Sequence, residues 1–202
     1  MTRNTSSKTS TRSSSSRRAF VKGGQSQDAL DLLAEDHKKV LKLFDTFRKM
    51  KKRGDADMDE IQTLVETACA ELTIHTRVEE ELFYPAIRDA IGESDMLDEA
   101  EVEHASAKQL IHELAAMQPG DELYDARFTV LGEYVKHHIN EEENTIFPKA
   151  KKAKLDLDTM GEEIRARKEE LRDELGIHPE EASEAEEEER QERSEAERRN
   201  LH

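Results

Sequence analysis

The chain has 202 residues, of which 39% are charged and 35% hydrophobic, and it carries a net charge of −16. That length allows one full domain with tails or two very small domains, and so polar a composition excludes a single compact unit running from end to end. No stretch approaches the ~18 consecutive apolar residues of a membrane span, so a soluble protein with no membrane partner is expected. The only cysteine, Cys69, excludes an intrachain disulfide framework and fits a reducing cytoplasm.

Residues 1–27 are rich in Ser, Thr, Lys and Arg, with no acidic residue before Asp28. They hold too little apolar material to offset ordering entropy, and a disordered basic arm is expected. Within it, Ser16-Arg17-Arg18-Ala19-Phe20-Val21-Lys22 matches the twin-arginine export signal. A working signal continues into an apolar run of ~7–15 residues, whereas here Gly23-Gly24-Gln25-Ser26-Gln27-Asp28 follows. The arm is therefore read as solvated. The acidic net charge argues against nucleic-acid binding by the body of the protein and leaves only this arm suited to an acidic partner such as DNA.

Residues 28–152 carry four apolar stripes spaced alternately by three and four, the pattern of helices packed in a bundle. The first is Leu30, Leu33, His37, Val40, Phe44 and Phe47. The second is Ile61, Val65, Ala68, Leu72, His75, Glu79, Leu82 and Ala86. The third is Leu97, Ala100, His104, Ala107, Ile111 and Leu114, and the fourth is Phe128, Leu131, Val135, His138, Glu142 and Thr145. Turn and N-cap chemistry breaks the chain at Gly54-Asp55-Ala56-Asp57, Gly92-Glu93-Ser94-Asp95 and Pro119-Gly120-Asp121. Short connections place successive helices antiparallel, so the fold expected is all-α, an up-down-up-down four-helix bundle. Residues 153–202 are helix-prone and lack a comparable stripe. They read as a charged tail, a solvated helix or disordered, broken near Gly176 and Pro179.

Six polar residues stand where the stripes call for core: His37, His75, Glu79, His104, His138 and Glu142. Burying an unpaired carboxylate costs several kcal/mol. A polar network that satisfied itself would need donors, and these groups are mostly acceptors, so a cation solves the problem directly. His75 and Glu79 project from one helix face a turn apart, and His138 and Glu142 repeat the arrangement. The repeat extends to Glu80 and Glu143, and to an aromatic before a proline, Tyr84-Pro85 and Phe147-Pro148. Helices one–two and three–four thus read as two copies of one unit about a pseudo-two-fold axis, each offering two His and one Glu. Such halves facing each other make a two-metal site with bridging carboxylates, a donor set that suits iron, with zinc and manganese also possible.

The pattern His37…His75-x-x-x-Glu79…His104…His138-x-x-x-Glu142 resembles the hemerythrin, or HHE cation-binding, family over about residues 28–150. The resemblance implies a non-haem di-iron centre of two Fe ions, with Glu79 and Glu142 bridging and the histidines terminal. It departs at Lys108, where oxygen-carrying members have a further His; this implies one iron with a water or an open position and puts reversible O2 carriage in doubt. The four-His, two-Glu version is similar to bacterial hemerythrin-like proteins and to the di-iron domain of the iron–sulfur-repair family. Expected ligands are O2, NO or peroxide, in a dry pocket lined by residues such as Phe44 and Leu82, with an unidentified redox partner. Three functions stay open: a binding or sensing module, an enzyme acting on peroxide or NO or in cluster repair, and a polar-cored bundle without metal.

Neighbouring groups are assigned lesser roles. His137 lies ~100° around the helix from His138, off the core stripe. His112 and His178 have no partner at ligand spacing. Glu80 and Glu143 are candidates to accept from ligand imidazoles, and Tyr134 is a candidate hydrogen bonder one turn before His138 or an ordinary core-edge aromatic. Cys69 reads as a buried, inert thiol.

Overall fold

The computed structural model describes residues 27–92 and 95–177, so the basic arm, His178 and the Glu/Arg-rich end of the chain lie outside the described residues. Helix α1 (Ala29–Arg53) starts at Asp28, whose side chain accepts from the Asp31 amide (2.9 Å), and ends at Gly54 in the left-handed conformation that a side chain would strain. Helix α2 (Met58–Val78) is capped by Asp57 and continues through a wide π-helical turn (Glu79–Phe83) into α3 (Tyr84–Ile91). After α4 (Asp95–Ala115), helix α5 (Tyr124–Glu141) repeats this form, running through a π turn (Glu142–Ile146) into α6 (Phe147–Ala153). These rods form the expected all-α, up-down-up-down bundle, a ring in which α1 and α4 each touch α2 and α5. There is no strand among the described residues.

Each π turn begins at one of the inward glutamates. The amides of Tyr84 and Phe147 reach back five residues, to the carbonyls of Glu79 and Glu142. The next residues, Pro85 and Pro148, have no amide, and their rings exclude the carbonyl a turn behind, a local demand that a widened turn accommodates. The extra residue shifts the buried stripe by one. Phe83 and Ile87 are buried where the sequence reading placed Leu82 and Ala86, and Ile146 is buried where it placed Thr145, which is exposed.

A layer of polar residues divides the core. On one side lie Leu30, Leu33, Phe83, Ile87, Leu97 and Phe147. On the other lie Val40, Phe47, Leu72, Phe128, Leu131 and Val135. Each ring of the layer sits between the two apolar clusters, on α1, α2 and α4 within one helix and for His138 between α5 and the π turn that carries Ile146, so the histidines are fixed at both ends by packing.

The charged segment after residue 153 is helical over Leu157–Leu175 (α7), one of the two states expected of it, but it is not a solvated tail. Met160, Ile164 and Leu171 are buried against the groove between α1 and α2, where they meet Leu32, Leu33 and Val78. Gly161 permits the close approach: a Cβ there would fall 2.9 Å from the Gln27 carbonyl oxygen. The stripe escapes sequence reading because its middle position is Lys168, buried and paired with Asp36 of α1. Arg167 on Glu81 and Arg77 on Glu174 close the edges.

Candidate metal centre

All six inward residues come together in the polar layer, and all are buried, Glu79 and Glu142 completely. Four carboxylates surround the imidazoles from outside. His37 Nδ1 donates to Glu143 (2.9 Å), His75 Nδ1 to Asp36 (3.3 Å), His104 Nδ1 to Glu80 (2.9 Å) and His138 Nδ1 to Glu103 (2.8 Å). Carboxylates only accept, so each Nδ1 carries a proton, and in the neutral imidazole that a metal requires each Nε2 offers its lone pair inward. Those lone pairs face one another, His37 on His75 at 3.2 Å and His104 on His138 at 3.0 Å.

The glutamates tie the halves together. Glu79 Oε2 lies 3.2 Å from His75 Nε2 and 3.4 Å from His104 Nε2. Glu142 Oε2 lies 3.5 Å from His138 Nε2 and 3.2 Å from His37 Nε2. None of these contacts has hydrogen-bond geometry: both oxygens of Glu79 and Oε2 of Glu142 are buried without a hydrogen-bond partner. Burial, then the neighbouring Glu142 carboxylate, pushes the Glu79 carboxyl well above the usual range. Burial pushes Glu142 the same way, but without a cation a proton on His138 and on His37, both raised by Glu142 and Glu79 against their own burial, outweighs it and holds its carboxyl well below that range; these protons stand where a cation would. Burial lowers His75 to about 4 despite Asp36. A site of facing lone pairs and orphaned carboxylate oxygens lacks positive charge, and a cation between the paired imidazoles supplies it. The donor atoms form two overlapping groups, His37, His75, Glu79 and Glu142, and Glu79, His104 and His138, each within a span of 4.8 Å.

Sequence reasoning missed three residues here. Tyr84 Oη donates to Glu142 Oε1 (2.9 Å) and sits 3.3 Å from His104 Nε2 and 3.4 Å from His138 Nε2. It occupies the side of the second donor group that the Lys108 departure leaves short of a nitrogen. Lys108 itself turns outward to Glu80 (2.6 Å). The equivalent of Tyr84 in the other half is Phe147, stacked on His37 with centroids 5.7 Å apart, so the two donor groups are chemically unequal. The signal was the Tyr-Pro against Phe-Pro difference between the repeats. Asp36 and Glu103 were missed too, although an acidic residue precedes the first histidine of each half.

The lesser assignments divide. Glu80 and Glu143 accept from the inward imidazoles of His104 and His37, and His137 and His112 are exposed. Tyr134 is nearly half exposed and makes no hydrogen bond to the six residues. Cys69 is part-buried, and burial pushes its thiol up to about 12, which keeps it unreactive. The apolar cavity at the centre is lined not by Phe44 and Leu82 but by Val40, Leu72, Ala107, Val135 and Ile139, beside His75, His104 and His138. Phe44 packs instead on Phe128, and Leu82 on the cluster at the other side of the polar layer.

A family model for the hemerythrin HHE cation binding domain matches residues 28–150. The chain belongs to this family. As a member of the HHE family it is a cation-binding bundle, and the His/Glu cluster fits that role. A crystal structure of a hemerythrin HHE cation binding domain-containing protein from Mycobacterium kansasii shares the fold, with a TM-score of 0.61 at 24% identity, covering 73% of this chain and 89% of that one. A protein of Nostoc sp. described as a DNA nickase is 28% identical over 162 residues, 78% of this chain. The match spans 44% of that relative's length. No helix among the described residues is long and apolar enough to cross a membrane.

Proposed function

We propose that the protein holds two non-haem iron ions in this centre and binds O2, NO or peroxide there, as a module that captures O2 or responds to oxidant, NO or iron status. The observation that carries this reading is the pair of donor groups sharing Glu79, with imidazole lone pairs facing each other and carboxylate oxygens left unpaired. His37 and His75 would hold one ion, His104 and His138 the other, with Glu79 and Glu142 placed to bridge. Ferrous iron supplies the electrons and the open coordination position that such ligands need. The chain supplies the rest. Four outer carboxylates orient the imidazoles and raise their basicity, and the apolar cavity of about 20 Å³ beside three of the histidines has room for a diatomic molecule and disfavours water.

The test is metal content of anaerobically purified protein, with an optical spectrum before and after air. Two irons per chain and a new visible charge-transfer band on exposure to air are expected. A colourless protein with two zinc ions would keep the centre and remove the O2 reading; protein without metal after growth in iron-replete medium would remove both.

A second reading, an enzyme reducing peroxide or NO, is favoured by one observation. The buried Tyr84 phenol donates to Glu142 beside the second donor group, where a proton can be passed inward. On this reading Tyr84→Phe keeps both metals but loses about 100-fold or more in peroxide turnover, the range of general acid contributions. Equal rates in the variant and the parent would assign Tyr84 to packing alone.

A further inference from the structure

Two crevices lead from the surface to the centre, related by the internal repeat, and the fold treats them differently. The crevice between α1 and α2 presents Leu32, Ile74 and Val78 around Asp36, and α7 closes it with Met160, Ile164, Leu171 and Lys168. The matching crevice between α4 and α5 has Glu99 in place of Leu32, His137 in place of Ile74, Glu141 in place of Val78 and Glu103 in place of Asp36. No helix among the described residues covers it. It opens as a cavity of about 100 Å³ whose inner wall includes His138 and Glu142. Glu142 is 0% exposed and its Oε2 lacks a hydrogen-bond partner, so a buried, orphaned acceptor stands at the floor.

We propose that this crevice is the route by which a divalent cation reaches the buried donors, with Glu103, His137 and Glu141 as its first, transient holding point. The proposal rests on the metal-centre reading above. Donor atoms of these three residues lie within 4.8 Å of one another. His137 Nε2 is 3.4 Å from Glu141 Oε1 and 3.5 Å from Glu103 Oε1. One imidazole and two carboxylates suit a first-row divalent ion, and their partial exposure makes the hold weak enough to release it. Glu103 connects the steps, because its other oxygen accepts from His138 Nδ1 at 2.8 Å. With Glu99 at the rim, the walls are acidic and would concentrate cations at the mouth. Lys149, on α6, directs its ammonium to the Met96 sulfur (3.0 Å) on the cavity wall.

Other openings fit a cation less well. The cleft beside Tyr84 carries Arg88 and Lys108 among its acidic residues, and the one beside Phe147 carries Lys151 and Lys152. A second helix docked like α7 is also a poor occupant of the α4–α5 crevice, since it would bury Glu99 and Glu141 where α7 finds Leu32 and Val78.

Rapid mixing of metal-free, full-length protein with Co2+, followed by visible absorption, tests the route. The exposed double variant H137Q/E141Q should load about tenfold more slowly than the parent and reach the same stoichiometry and final spectrum. E141K should slow loading further. E170Q, on the opposite face of α7, removes one charge like E141Q and should load at the parental rate. Parental loading in H137Q/E141Q, a lower end point, or equal slowing in E170Q would each overturn the proposal. A parent chain that takes up no Co2+ at the centre would fail the metal-centre reading itself, a result distinct from any change in rate.

Discussion

On the two-metal reading proposed above, Glu79→Gln should empty both positions, taking bound metal from two ions per chain to near zero. Glu79 belongs to both donor groups, so its loss cannot be confined to one half of the bundle. Loss of an outer-sphere partner alone costs ~10–100-fold in metal affinity, and loss of a shared donor should cost more. His75→Ala and His104→Ala should each strip chiefly the ion of their own half, while His137→Ala, on an exposed ring, should retain both. Elemental analysis of the purified variants is the measurement. A second readout has the opposite sign. Metal-free Glu79→Gln should be more stable than the metal-free parent at neutral pH, because burial and Glu142 raise the Glu79 carboxyl and an amide, which cannot ionise, removes the cost of taking up a proton on folding. Full metal occupancy in Glu79→Gln would refute the assignment of this residue as a ligand.

Lys168→Met should be the most damaging substitution outside the centre, costing about 3–5 kcal/mol of unfolding free energy. Lys168 and Asp36 are both buried and paired with each other. Burial alone would raise the Asp36 carboxyl, and His75 together with Lys168 holds it at about 2 instead. Removing the ammonium leaves that carboxylate buried with only the His75 imidazole. The double variant Asp36→Asn/Lys168→Met, which removes both charges, should recover most of the loss, and a double-mutant cycle from urea unfolding separates the pair from the packing of α7. A cost below ~1 kcal/mol for the single variant would place the pair with ordinary surface ion pairs.

Much of the centre was legible in advance because its donors break the pattern around them. A glutamate on a core stripe is a violation of binary patterning, and violations of that kind accumulate at functional sites. Six of them, in helical register and twice repeated, were enough to assemble the donors, because an α-helix fixes the relative direction of residues four apart. What escaped were the residues whose role depends on a partner far along the chain. Asp36 is acidic in the sequence and buried in the structure only because Lys168, on α7, comes to meet it. Tyr84 looked like one of two aromatics before a proline. Only its position after a π turn brings the phenol to Glu142.

The sequence by itself determined the helices, the turns between them and the six inward donors, since local propensity and the period of the apolar stripes act within a few turns of chain. The tertiary structure decided the one-residue shift after each glutamate, the docking of α7 and the inequality of the two halves. The last two depend on contacts between segments distant in sequence, whereas the shift answers a local proline that a regular 3.6-residue period does not express. A lysine within an apolar stripe reads as solvent-facing until the carboxylate that neutralises it is in place. The internal repeat makes the two crevices equivalent in position; the burial of Leu32 and Val78 beneath α7 closed one, and Glu99 and Glu141 kept the other polar and open.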